Sequence, residues 1–459
     1  MRQTFSIKEK IKLLLVVLVP ILVTQVGMFG MNFIDTVMSG QAGPDDLAGV
    51  AIGSSIWLPI FTGLSGILIA LTPMISHYIG AEENHKVGFT VIQGLYLAMI
   101  ISIIIIIAGL FLLEPFLSLM SLTDEVHHIA KHYLVGFSLG ILPLFIHAVF
   151  RGFIDSLGQT RITMIVTLLA LPVNVVFNYI LIFGKLGFPA LGGIGAGYAS
   201  AITYVFILAV TLYFVIKVHP FSDYQLLRTF YKVSLSKWKE ILLLGLPIGL
   251  TIFFETSIFA AVTLLMSQFN TATIAAHQAA INFASLLYMV PMSIAFSLTI
   301  VVGYEVGAKR LKDAKQYSYL GVSTAILFSV VAAIILFYTR ESVSLLYTND
   351  VKVAMLIQSF LIYAIFFQLS DALVTPIQGV LRGHKDVNIP FVMALISFWV
   401  IGLPTGFVLA NYTTYGPYGY WIGLIAGLGA GAIALSWRWM HVQRKKEQEV
   451  QRKVGGNNE

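Results

Sequence analysis

The sequence predicts an all-α integral membrane protein, with twelve transmembrane helices in two six-helix bundles related by a pseudo-two-fold axis along the membrane normal. Three observations predict it. Of 459 residues, 58% are hydrophobic and only 11% charged, with a mean hydropathy of +0.86, whereas soluble proteins carry about 25% charge. The apolar residues gather into twelve runs, each longer than the roughly 20 residues that cross a bilayer. The first half of the chain recurs, in its Pro and Gly punctuation, as the second half.

The runs lie at 11–39, 47–77, 88–113, 126–150, 162–184, 193–217, 240–268, 273–304, 316–339, 353–380, 388–410 and 417–440. Most exceed the minimum length, so tilt or extension beyond the hydrocarbon is expected. Barrel strands would instead alternate over about ten residues. The first run follows a basic N-terminus but is too long for a signal peptide and has no small-residue cleavage site, so it reads as an uncleaved first span. The longest polar stretch between spans is 218–239. The expected organisation is an N-terminal bundle 1–217, a cytoplasmic linker 218–239, a C-terminal bundle 240–440 and a tail 441–459. The polar, charged tail is expected to be disordered.

Lys and Arg set the orientation, because they concentrate on the cytoplasmic side. With both termini inside, the outer segments hold only Lys131, Lys185, Arg340 and Lys352, and the other 24 of the 28 basic residues fall inside. The expected location is the inner (plasma) membrane, multi-pass. The net charge of +6 would suit nucleic acid only on a basic soluble face, and none exists, so no nucleic-acid partner is expected. The absence of cysteine excludes disulfides, thiol catalysis and cysteine-ligated metals.

Shifting the first half by 227 places Pro20 on Pro247, Ile21 on Ile248, Thr24 on Thr251, Gly80 on Gly307 and Gly152 on Gly379. Near the last span of each half, Gly192 and Gly195 pair with Gly416 and Gly419 at an offset of 224. Six spans per half make the repeat parallel, and transporters commonly place the substrate between such halves.

Three acids lie inside spans, namely Asp35, Glu255 and Asp371, with no Lys or Arg at that depth in the sequence reading. A charge at a helix centre costs about 2.5–3.5 kcal/mol on insertion scales, so such residues are functional candidates. Glu255 lies about 24 Å along its helix from Lys239, and Asp371 about 16 Å from Arg382. Asp35 is nearer the outer end of its span, where a solvated helix end is the competing reading. Under the repeat these acids map to Val262, Met28 and Leu144, so each half is specialised. A buried carboxylate without a base must be protonated, bind a metal cation or face an organic cation. Competition among those states is what an antiporter requires. Asn174 and Asn178 stand at i, i+4 on one helix face, either as oxygen ligands or as interhelical hydrogen bonders. His277 and Gln278 are adjacent and face different ways, each a packing hydrogen bonder or a cleft-lining gate. No HExxH, P-loop, GxSxG or dinucleotide fingerprint occurs, so no enzymatic activity and no organic cofactor is expected. An ion gradient, Na⁺ or H⁺, is then the driving force.

The segments LPIGLTIFFETSIFAAVTLLMSQF (246–269), IAAHQAAINFASLLYMVPMSI (274–294), FIDTVMSG (33–40), RGFIDSLGQTR (151–161), LPVNVVFNYILIFG (171–184) and QGVLRGHKD (378–386) together resemble the multidrug and toxic compound extrusion (MATE) family, in its NorM-like branch. The resemblance runs from about residue 10 to 440. It implies two six-helix bundles around a central cleft, and export of cationic amphipathic drugs and dyes by alternating access in exchange for Na⁺ or H⁺. It places cation coupling and substrate binding on Asp35, Asn174, Asn178, Glu255 and Asp371, with Glu255 and Asp371 as the candidate Na⁺ ligands. Where Na⁺-coupled members have a Tyr one turn before the second of these, this chain has Phe367, a candidate cleft-lining ring that supplies no oxygen. A monomer contacting lipid and small cations is expected. A lipid-linked oligosaccharide flippase of the same superfamily is the alternative, opposed by the lack of a deep base. A channel would repeat its filter, and an enzyme would need a nucleophile–base or metal constellation.

Overall fold

The computed structural model describes residues 3–455 apart from 121, 227 and 230. It is built from helices: α1 Ile7–Ala42, α2 Pro44–Ile69, α3 Leu71–Gly80, α4 Asn84–Ser118, α5 Asp124–Ser138, α6 Ile141–Ser156, α7 Thr160–Phe183, α8 Gly193–Lys217, α9 Leu235–Met266, α10 Thr271–Gly307, α11 Leu311–Leu345, α12 Val351–Gly383, α13 Asn388–Leu395, α14 Leu403–Tyr412 and α15 Tyr418–Gly455. No strand occurs among the described residues. Among the described residues eleven helical spans are long and apolar enough to cross a membrane, with α2–α3 and α13–α14 each counted as one, and the bent pair α5–α6 brings the number to twelve.

Local chemistry sets the ends. Pro44 opens α2, where its missing N–H is no loss. Asn270 and Asp350 accept backbone N–H groups at the starts of α10 and α12, and Gly184 ends α7 at φ 65°, a left-handed conformation that suits glycine. The run expected as one helix over 126–150 is instead bent by 49° between Ser138 and Ile141. Apolar pattern alone does not reveal that break, since the run stays mostly apolar from Leu134 to Phe150 with Ser138 and His147 as its polar members.

By contact the chain forms two compact units, Val19–Gly249 and Met1–Leu18 with Leu250–Glu459. They do not divide at 218–239. That segment is fastened to the first unit. The Gln93 amide donates to the Lys232 carbonyl (2.8 Å) and accepts from the Ser234 N–H (2.9 Å), and the Tyr96 hydroxyl donates to the Tyr231 carbonyl. Phe221 is buried edge-on to Phe153. In the second unit the N-terminal segment is held by the Lys10–Asp313 ion pair (2.8 Å) and a Thr4–Tyr317 hydrogen bond.

The tail corrects another expectation, because α15 continues to Gly455 and residues 456–459 lie outside the described residues. Its Glu, Gln, Lys and Arg are good helix formers. The helix is also anchored where it leaves the apolar run. Arg438 pairs with both oxygens of Asp386 (2.7 and 2.9 Å), and the Lys446 ammonium donates to the His384 carbonyl.

The second unit is centred on α12, which packs against α10 so closely that a Cβ on Gly379 would run into the Ala295 backbone. Thr299 bridges the pair by donating to the Gly379 carbonyl at 3.0 Å. Gly379→Ala should therefore force α10 and α12 apart at a cost of about 1–3 kcal/mol. Thermal unfolding of purified protein should show a lowered midpoint for this variant. Gly429→Ala, which meets nothing within 4 Å, should leave the midpoint unchanged or higher.

Candidate functional site

The first unit gathers its polar side chains around one acid. Asp35 on α1 is only 6% exposed, so its position near a helix end has not left it solvated. One carboxylate oxygen accepts from the Asn174 amide (3.0 Å) and the Asn178 amide (2.5 Å), and the other accepts from the Ser200 hydroxyl (2.9 Å). Asn178 also donates to the Asn174 oxygen (3.2 Å), and its own side-chain oxygen has no partner among the described residues. The i, i+4 spacing on α7 delivers both amides to the same side. Ser200 arrives from α8, whose first N–H, on Gly193, is capped by Asp46 at 2.5 Å. No Lys or Arg forms an ion pair with Asp35 among the described residues. Ser200 has no sequence signal, being one small residue in the Gly- and Ala-rich start of α8.

In the second unit Glu255 on α9 accepts from the Gln378 amide at 2.6 Å. Asp371 on α12 accepts from the Thr375 hydroxyl at 2.8 Å, and its other oxygen is buried without a partner. Tyr288 of α10 has its hydroxyl hydrogen-bonded to the Thr375 side chain and within electrostatic reach of both acids and of Arg382. It brings a phenol to the pair by a route other than position 367. Phe367 is itself buried, edge-on to Phe259 and Trp421. No third acid or histidine joins the pair among the described residues, so a bound Na⁺ would depend on neutral oxygens from Tyr288, Thr375 and Gln378.

His277 is fully buried. The Trp421 indole donates to its Nδ1 at 3.1 Å, so its proton sits on Nε2 and points to the Thr263 hydroxyl at 3.2 Å. Gln278 is exposed.

One sequence expectation is corrected. Arg151, counted with the inner segments, stands inside α6, which runs on to Ser156. Its guanidinium donates to the Gln25 side chain (2.8 Å) and to the Met28 sulfur (3.6 Å) and pairs with Asp155 (3.5 Å). A base therefore does reach the middle of α1, so the chain does not lack the deep base that a flippase would use.

Two helical units with apolar spans, each with a buried acid that accepts from neutral donors, define a polytopic membrane protein. The MatE family model matches residues 20–180 and 247–408, and the chain belongs to that family. It is 66% identical over 457 residues to the probable multidrug resistance protein NorM of Halalkalibacterium halodurans, covering all of both chains. It is 54% identical over 449 residues to the protein of the same name from Bacillus subtilis, covering 98% and 99% of the two. A MATE crystallised in a bent conformation superimposes with a TM-score of 0.86 at 20% identity, covering 95% of this chain and 97% of that one. A eukaryotic MATE transporter gives 0.84 at 21% identity, covering 96% and 99%.

If Glu255 and Asp371 share one cation or proton, Glu255→Gln and Asp371→Asn should each slow substrate efflux about tenfold or more, the scale of losing one charged hydrogen-bonding group. The double variant should be little worse than either single one, since both losses strike one site. Initial efflux rates at matched expression check this, and fully multiplicative losses would separate the two acids.

Proposed function

We propose that this protein is a secondary active multidrug efflux antiporter, a transporter rather than an enzyme, which exports cationic amphipathic compounds in exchange for an inward-moving cation. The observation that carries the reading is the buried Asp35 carboxylate, met by three neutral donors and no base. The names of the full-length NorM relatives support multidrug efflux. The distribution of Lys and Arg supports a plasma-membrane protein with both termini in the cytoplasm.

The coupling ion at Asp35 is a proton. Its neighbours present N–H and O–H groups to the carboxylate, and these balance its charge without acting as cation ligands. Protonation removes that charge, so the Asn174, Asn178 and Ser200 hydrogen bonds weaken. The Glu255–Asp371 pair is the cation locus of the other unit, with the Tyr288 phenol standing in for the oxygen that Phe367 does not supply. Organic cations also gain about 0.5–2 kcal/mol on each aromatic face they meet. A flippase reading would have to use Arg151, but that guanidinium is already engaged by Asp155 and Gln25.

Proteoliposomes loaded with an ethidium-like dye test the reading, with a pH gradient or a Na⁺ gradient imposed alone. Efflux driven by the pH gradient is expected, and Asp35→Asn should reduce it to the leak rate. A strict Na⁺ requirement, indifferent to pH, would overturn proton coupling. In an efflux-deficient host the protein should protect against cationic dyes and not against purely anionic drugs. Protection limited to anions would overturn the substrate class.

A further inference from the structure

The two cation-related contacts of the repeat are the same contact with the charges rearranged. In the second unit the Gln378 side chain on α12 donates to the side chain of residue 255 on α9 at 2.6 Å. In the first unit the Arg151 side chain on α6 donates to the side chain of residue 28 on α1 at 3.6 Å. The shift of 227 that aligns the Pro and Gly residues carries 151 onto 378 and 28 onto 255. Each structure-derived contact therefore joins repeat-equivalent residues. The same shift carries Asp155 onto Arg382.

The chemistry differs in one respect. At the locus of the second unit, a carboxylate on the span faces a neutral amide, and the base, Arg382, stands a turn farther along α12, where its Nε lies 3.4 Å from the Gln378 carbonyl. At the locus of the first unit, the base itself occupies the deeper turn and the acid, Asp155, stands a turn farther along α6. Asp155 is 7% exposed and accepts from the Thr163 hydroxyl at 2.8 Å. Met28 lies 14 residues before the end of α1 at Ala42, about 21 Å along the helix, so this guanidinium is well inside the span.

We propose that Arg151 is a charge-selecting residue: its tethered guanidinium fills, in the N-terminal half, the place that Glu255 offers to a cation in the C-terminal half. A cationic ligand at this depth then binds on one side of the repeat only. The proposal rests on the reading of Glu255 as a cation locus. It adds that the chain itself has closed the equivalent locus, through one base placed one helical turn deeper.

Equilibrium dialysis of radiolabelled tetraphenylphosphonium against the purified full-length protein tests both statements separately. Glu255→Gln should lose one bound cation per chain, and an unchanged count would overturn the reading of Glu255 rather than the role of Arg151. Met28→Glu alone should gain no site, because the guanidinium at 3.6 Å neutralises the new carboxylate. Met28→Glu with Arg151→Gln should gain one site, and should restore the count in the Glu255→Gln background. A gain in Met28→Glu alone, or no gain in a double variant that keeps its native site and elutes as a folded monodisperse species, would overturn the proposal. Should the double variant not fold, Gln378→Arg decides the matter by placing the guanidinium in the other half. It should weaken the native site about tenfold or more, and undiminished affinity would overturn the proposal.

Discussion

A carboxylate inside a bilayer must be protonated, matched by a cation or surrounded by donors, because hydrocarbon offers it no solvation. The polar architecture of both units follows from that constraint. Asp35 takes the third solution with two amides and a hydroxyl, all from helices that supply nothing else charged at that depth. The arrangement stabilises the ionised acid only modestly. Each neutral hydrogen bond contributes about 1 kcal/mol net, and one to a charged group about 1.5–3. An ion-paired acid would be locked in its charged state, and Asp35 has no ion-pair partner among the described residues. Glu255 and Asp371 likewise accept from neutral donors, the Gln378 amide and the Thr375 hydroxyl, with the Arg382 guanidinium within electrostatic reach of Glu255.

The strong ion pairs lie elsewhere and have a different task. Lys10 with Asp313, Arg310 with Glu305 and Arg438 with Asp386 fasten helix ends and connecting segments within one unit. Gln93 and Tyr96 do the same for the 218–234 segment in the other unit, using backbone carbonyls as partners. Fixed charges therefore hold the ends of the helices, while Asp35, Glu255 and Asp371 in the spans accept from amides and hydroxyls. Arg151 is the exception, and its partners Gln25 and Asp155 show how a base inside a span is stabilised within its own unit.

Much of this was legible in the sequence because the signals were strong. Apolar runs gave the spans, and the isolated acids stood out against an apolar background. Two asparagines four apart in an otherwise apolar helix marked the partners of Asp35. Other features left no such trace. Ser200 could not be told from the many span hydroxyls that bond back to their own helix, and Tyr288 was one of 20 tyrosines. The bend between α5 and α6 interrupts no apolar pattern. Arg151 escaped because it falls one residue beyond the expected span, and helix boundaries are the least certain feature of any sequence reading. The tail helix follows Arg438, which meets Asp386 across 52 positions, a contact that composition does not encode.

The central claim is that binding of an organic cation elsewhere in the chain expels the proton held by Asp35. The most direct measurement is proton release from purified protein in lightly buffered detergent solution when tetraphenylphosphonium is added, read with a pH indicator near neutrality. The account predicts stoichiometric release from the parent protein and none from Asp35→Asn, with the organic cation still binding to both. Binding to the parent without proton release would contradict it.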